Sequence, residues 1–244
     1  MDKSEVLRRV RTLIKLHQDG ILGGEVMPED VNCNLLISSK ENYLYYTLPM
    51  ALNYQRSAYK LWESVKKTYL DEDTRDVFIP KKVLLMSEER LREKLTKHKV
   101  ALQPNKQPAI WRRLCQTFEE TFNGDVREFF QASNYNILEI KAYMNTHKKR
   151  FPYLSGTKIS NYWLYVIEQY TDCQFNDRRN ISVAPDTHVM QASVKLGVTQ
   201  ENEKLSSSEV SERWKELLTK SEFVPIDVHT PLWLWSRRGF KPEV

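Results

Sequence analysis

Apolar residues recur at three- and four-residue spacing through most of this 244-residue chain, a period that admits helices and little else. Near the N-terminus Val6, Val10, Leu13 and Ile14 form one stripe, stopped by Asp19-Gly20. Residues 41–70 carry Leu44, Leu48, Leu52, Leu61, Trp62 and Val65, enough for one long helix or two, with a break or kink expected at Pro49. Residues 87–95 open like a capping box at Ser87. Ile110, Leu114, Phe118 and Phe122 lie four apart, and Asn123-Gly124 stops that helix before Asp125 caps VREFF. Further helices are expected over 136–147, 157 to about 170, 186–196 and 206–218. A last one is expected over 231–238, with Thr230 as N-cap and Pro231 as its first residue. The strand-like pieces VFIP (77–80) and ISV (181–183) are too short to build a sheet. The expected fold is all-α, with about ten short helices.

Composition narrows the classes. With 41% apolar residues the chain can bury a core unaided. No apolar run approaches the roughly 18 residues of a membrane span, so no membrane partner is expected. The N-terminal segment has no apolar stretch followed by a small-residue cleavage site, so it is not read as a signal peptide. Cys33, Cys115 and Cys173 are far apart and odd in number. They suit a reducing cytoplasm and neither a disulfide framework nor a metal or iron–sulfur site, so no metal and no cofactor is expected. Thirty-seven basic against 32 acidic residues give a net charge of +5, which tolerates a polyanion without demanding one.

Residues that could carry chemistry cluster between 123 and 188. In FPYLSGTK a proline, a small residue and a glycine stand between two amphipathic stretches, as in a tight helical hairpin. Ser155, Gly156 and Thr157 would there present successive backbone N–H groups at a helix N-terminus, which attracts an anion such as phosphate. An ordinary turn between helices accounts for the same residues. Lys158 falls in the first helical turn, where the helix dipole disfavours a cation. It either points to solvent or serves as a nucleophile. Asp186, 28 positions further on, opens the next helix. It serves as an N-cap, or as a carboxylate aimed into a cleft that it shares with the lysine.

Together these residues resemble the helix-hairpin-helix (HhH-GPD) DNA glycosylase superfamily over residues 105–197. The order FNGDV, helix, FPYLSGTK, helix, PDTHVMQASVKLG is similar to the family's Gly-Asp step, its LPGxGxK hairpin and its VDTH helix start. Pro152, Gly156 and Lys158 match the hairpin, and Asp186-Thr187-His188 matches VDTH. Ser155-Gly156 replaces Gly-x-Gly, the hairpin is one residue longer, and the four-cysteine tail of the endonuclease III branch is absent. The long lysine–aspartate connection looks more like that of the archaeal GO (8-oxoguanine) glycosylases. The resemblance implies a two-lobed all-α unit over 1–244 with its active site in the cleft between lobes. Residues 105–197 would form the glycosylase core, and residues 1–40 and 198–244 would contribute to the second lobe. It also implies that Lys158 attacks the sugar C1′ and that Asp186 is required.

A second element, VPIDVHTPLW, competes for the catalytic role. Asp227 lies 69 positions from Lys158, so Asp186 is preferred. Asp227 and His229 are instead expected to line a base pocket with Trp163, Pro185 and Trp233, since base chemistry on a duplex requires flipping the nucleotide into such a pocket. Core packing explains most tryptophans equally well. Lys148, Lys149 and Arg150 form a basic run just before the hairpin, and Lys149 and Arg150 are expected to hold the DNA backbone. The function implied is base excision with AP lyase activity by a cytoplasmic, nucleoid-associated monomer acting on double-stranded DNA with an oxidised purine. A glycosidase of a modified nucleoside and a non-catalytic DNA-binding module are the alternatives.

Overall fold

The structure, a computed structural model, describes residues 2–23 and 27–244, and among them every regular element is a helix. In chain order these are α1 (Lys3–Gln18), α2 (Lys40–Thr47), α3 (Ala58–Leu70), α4 (Pro80–Leu85), α5 (Glu88–Lys97) and α6 (Gln107–Phe122). There follow α7 (Val126–Ala132), α8 (Ile137–Thr146), α9 (Thr157–Tyr170), α10 (Thr187–Leu196), α11 (Ser207–Leu218) and α12 (His229–Arg237). Most start on a polar side chain that accepts a first-turn N–H: Ser39, Ser57, Ser87, Asp125, Asn136, Asp186 and Ser206. Helix α6 ends on Asn123 and Gly124, both left-handed, which glycine adopts without a Cβ penalty.

Two expectations hold and a third is corrected. Residues 41–70 form two helices, with the expected break at Pro49, which opens a short 3-10 turn (Pro49–Leu52) directly after α2 because it has no N–H to continue the ladder. The strand-like VFIP is a 3-10 turn (Arg75–Phe78) followed by Pro80 at the first position of α4, an element too short for its periodicity to be read. Helix α12 begins at His229, after a 3-10 turn over Pro225–Val228. Thr230 and Pro231 therefore lie inside its first turn, where N–H groups have no intrahelical acceptor and proline is tolerated.

The chain divides into two compact units. One joins the two ends of the chain, Met1–Glu25 and Arg178–Val244. In it α1, α10 and α12 pack together through Val6, Val10, Leu13, Val189, Ala192, Leu196, Leu232 and Trp235, all buried. Trp214 of α11 closes the set by donating its indole N–H to Ser193 Oγ at 2.8 Å.

The other unit, Val26–Asp177, holds α2 to α9 and an aromatic core. Tyr45, Tyr46, Trp62, Phe78 and Trp111 make one cluster; Phe118, Phe122, Phe129, Phe130, Phe151 and Trp163 make a second. Each buried indole N–H in this unit finds an acceptor: Trp62 on Glu29 Oε1, Trp111 on the Val77 carbonyl, Trp163 on Thr47 Oγ1.

Glu29 is the costly member of that arrangement. It is 1% exposed, and burial pushes its carboxyl up to about 7, against weaker opposing hydrogen bonds that include those from Tyr162 and Trp62. A folded-state value above the ordinary one means that the folded protein binds the proton more tightly than the unfolded chain. The benefit is fully present below the ordinary carboxyl range and is lost as pH rises through 7. Glu29→Gln keeps the acceptor and removes the charge. Urea unfolding should show it gaining on the parent protein between pH 5 and pH 8, by about 2 kcal/mol. An unchanged difference between the two pH values would contradict a buried, titrating Glu29.

Candidate nucleic-acid interface and active site

Helices α8 and α9 are joined by a turn over residues 147–156. Phe151 and Leu154 are fully buried and anchor that turn on the aromatic core. Its backbone closes on itself: Ser155 N–H donates to the Phe151 carbonyl and Gly156 N–H to the Tyr153 carbonyl, each at 3.0 Å. This corrects the expected cradle, because the Ser155 and Gly156 amides are consumed inside the turn. The open donors start one residue later. Gly156 is the N-cap of α9 and has no side chain to offer, so the Thr157, Lys158 and Ile159 amides keep no partner among the described residues. Space favours the glycine and its φ of −65° does not: a Cβ would stand a tight 3.1 Å from the Tyr153 carbonyl oxygen. Tyr153 takes the left-handed conformation instead, at φ 61°.

Lys158 is exposed at this helix start, as are Gly156 and Thr157, and Ser155 is half-buried. Beside them is a cavity of about 100 Å³ lined by Ser155, Thr157, Ser160 and Asn161 of this segment and by Lys141, Met144 and Asn145 of α8. Lys141 Nζ donates to Asn161 Oδ1 at 2.6 Å, and Asn161 Nδ2 donates to the Thr157 carbonyl. Lys141 and Asn161 were not singled out from the sequence; only their spacing on the facing sides of the hairpin could have signalled them. In the basic run, Lys149 is exposed and its carbonyl accepts from Arg113 Nε at 3.1 Å. The Arg150 guanidinium reaches Thr121 Oγ1, and its carbonyl accepts from Thr117 Oγ1 at 2.7 Å.

Trp163 does not line an opening. It is fully buried, 5.3 Å from Phe130 and nearly parallel to Phe129, with its N–H on Thr47. Five positions after Lys158 the helix has turned its apolar face inward, so this indole packs the core.

The remaining expected residues belong to the other unit. Asp186 is the N-cap of α10, half-buried, with Oδ1 accepting from Val189 N–H at 3.0 Å. Its Oδ2 has no partner among the described residues. Pro185 is buried, and its carbonyl accepts from Ser207 Oγ. Trp233 stands edge-on to His188 at 5.8 Å, so α12 is brought to the start of α10, and the Arg237 guanidinium lies 4.7 Å from the centre of the same indole. His188, the last residue of the Asp186-Thr187-His188 motif, joins Trp233 there, as does Arg237, which was not singled out from the sequence.

Asp227 differs from Asp186 in one decisive respect: both of its oxygens are engaged. Oδ2 accepts from Val224 N–H at 2.9 Å, and Oδ1 pairs with Arg178 at 3.1 Å. Its carboxylate holds the 3-10 turn before α12 and does not line a pocket. His229 is 5% exposed.

The cap of α10 can be separated from its charge. Asp186→Ala loses the bond to Val189 N–H and should cost about 1 kcal/mol in urea unfolding, whereas Asp186→Asn keeps the capping oxygen and should stay close to the parent protein. Equal losses would show that the carboxylate charge, and not the cap, stabilises this helix start.

No family model matches the chain, and no curated protein does. Among solved structures, a trapped endonuclease III–DNA covalent intermediate, an estranged-adenine complex, is similar over 100% of this chain and 90% of that one. The TM-score is 0.59 and the sequence identity 17%. What the two chains share at that identity is the fold: this all-α protein has the helical fold of endonuclease III.

Proposed function

We propose that this protein is a base-excision DNA glycosylase with AP lyase activity that acts on an oxidised purine such as 8-oxoguanine. The observation that carries the reading is the fold shared along the whole chain with an enzyme captured covalently on DNA. Two features of this chain support it: an exposed lysine in the first turn of α9, and a run of open backbone amides at the same helix start. The amides and the helix dipole suit a DNA phosphate. A neighbouring exposed amine suits attack on the deoxyribose.

In the proposed reaction the neutral Lys158 Nζ attacks C1′, and the bond from C1′ to the base nitrogen breaks. The base leaves with that electron pair and takes up a proton. Opening of the sugar ring at C1′–O4′ converts the amine adduct into an iminium. Loss of a 2′ proton then expels the 3′ phosphate, which breaks the strand, and water hydrolyses the iminium to free the lysine. Asp186 is assigned the stabilisation of positive charge on the sugar or the acceptance of the lysine proton. Its uncommitted oxygen favours it over Asp227 for that role.

Single-turnover excision on a panel of lesion-bearing duplexes tests this reading. Lys158→Gln should abolish strand nicking. Asp186→Asn should slow base excision by at least ~100-fold while lesion-duplex affinity is retained. Asp227→Asn should act mainly on stability, because the ion pair with Arg178 is removed. An inactive Asp227→Asn beside an active Asp186→Asn would reverse the assignment. A parent protein that releases no base from any duplex would refute the glycosylase reading.

A further inference from the structure

A second basic site lies between α5 and α6, away from the first turn of α9. A cavity of about 230 Å³ is lined there by Arg92, Arg112 and Arg113, with Asn105, Gln116 and one carboxylate, Glu88. The nearby Glu89 carboxyl is lowered by hydrogen bonds from its own backbone N–H and from Ser87, and also by the Arg92 charge. None of the three guanidiniums makes an ion pair among the described residues. Arg112 donates to the Met86 carbonyl at 2.7 Å; Arg113 donates to the Lys149 carbonyl and to Gln116. Arg92 Nε is buried and meets no acceptor at all among the described residues. The contrast is with Arg90 on the same helix, which is paired with Asp73 at 2.6 Å and with Glu93. Gathering three like charges round a partly desolvated hollow, and leaving a buried donor unmet, costs free energy unless an anion is drawn in. The planar donor forks of arginine match a phosphate.

Size and position narrow the ligand. The cavity is smaller than the roughly 300–1,000 Å³ that encloses a drug-sized molecule, and suits one phosphate group with its ester arms. Arg113, through its bond to the Lys149 carbonyl, ties the cavity to the basic run before the hairpin, within the same unit. We infer that the Arg92–Arg112–Arg113 cavity is a phosphate subsite that seats a backbone phosphodiester of the bound DNA, beyond the phosphate held at α9. This assignment rests on the DNA-processing reading for the source of the phosphate, but not for the anion chemistry.

The test is equilibrium binding of an undamaged duplex over a range of salt concentrations, which needs no excision. Each DNA phosphate that the protein no longer neutralises lowers the slope of log K against log salt by about 0.9. Arg92→Gln should lower it by that amount and weaken binding about tenfold at low salt. Arg92→Lys, which keeps the charge, should restore most of the slope, and the ion-paired Arg90→Gln should leave it unchanged. Melting curves of each variant identify any that fail to fold, in which case Arg92→Lys and Arg112→Gln carry the comparison. Pyrophosphate added to the parent protein should raise its melting temperature, and Arg92→Gln should remove that rise. An unchanged slope with the pyrophosphate effect intact would overturn DNA as the source of the phosphate. An unchanged slope with no pyrophosphate effect would overturn the subsite. If the parent protein binds no duplex, the DNA-processing reading fails, and the pyrophosphate measurement alone decides the subsite.

Discussion

The site in the larger unit depends on the burial of one face of α9. Trp163, Leu164, Val166 and Ile167 of that helix are fully buried, and the Trp163 ring lies against Phe129 and Phe130 with its N–H on Thr47. A fully buried tryptophan with a satisfied N–H tolerates little rotation or sliding. The helix start is thereby fixed: Gly156 must come close to the Tyr153 carbonyl, the first-turn amides must open outward, and Lys158 must stand on the solvent side. The burial that removes Trp163 from any base pocket is therefore what sets the lysine in place.

Much of this was legible in the sequence, for local reasons. Helix periodicity and capping are properties of neighbouring residues. The start of α9 at Thr157, the caps at Ser87 and Asp186 and the left-handed stop at Asn123-Gly124 could therefore be read from spacing alone. Helix α4 escaped because six residues carry less than two turns of pattern. The start of α12 was misplaced because Thr-Pro imitates a cap, while the 3-10 turn before it depends on Asp227 reaching back to Val224. What spacing could not supply was partnership. Nothing in the sequence distinguishes Asp227, bound at both oxygens, from Asp186, bound at one. Nor does it show that Arg92, Arg112 and Arg113, from two helices, share one cavity.

Charge is distributed in this molecule by whether it is paired. Exposed ion pairs such as Arg8–Glu5 and Arg11–Glu222 contribute little, because water screens both partners. Buried Lys94 is matched by Asp76, with its Nζ 2.8 Å from Oδ1. Glu29 is buried with no cationic partner among the described residues and takes up a proton more readily instead. Among the described residues, the functional readings use groups without an ion pair: the open amides and amine at the start of α9, the second oxygen of Asp186, and the arginines between α5 and α6.

The central claim is that Lys158 forms a covalent bond with deoxyribose. Borohydride reduction during reaction with a duplex containing 8-oxoguanine, followed by proteolysis and mass spectrometry of the adduct, locates that bond to a residue. The account predicts one cross-linked peptide, with the reduced sugar on Lys158 Nζ. A sugar mapped to Lys141, Lys149 or any other amine, or trapping undiminished in Lys158→Gln, would contradict it.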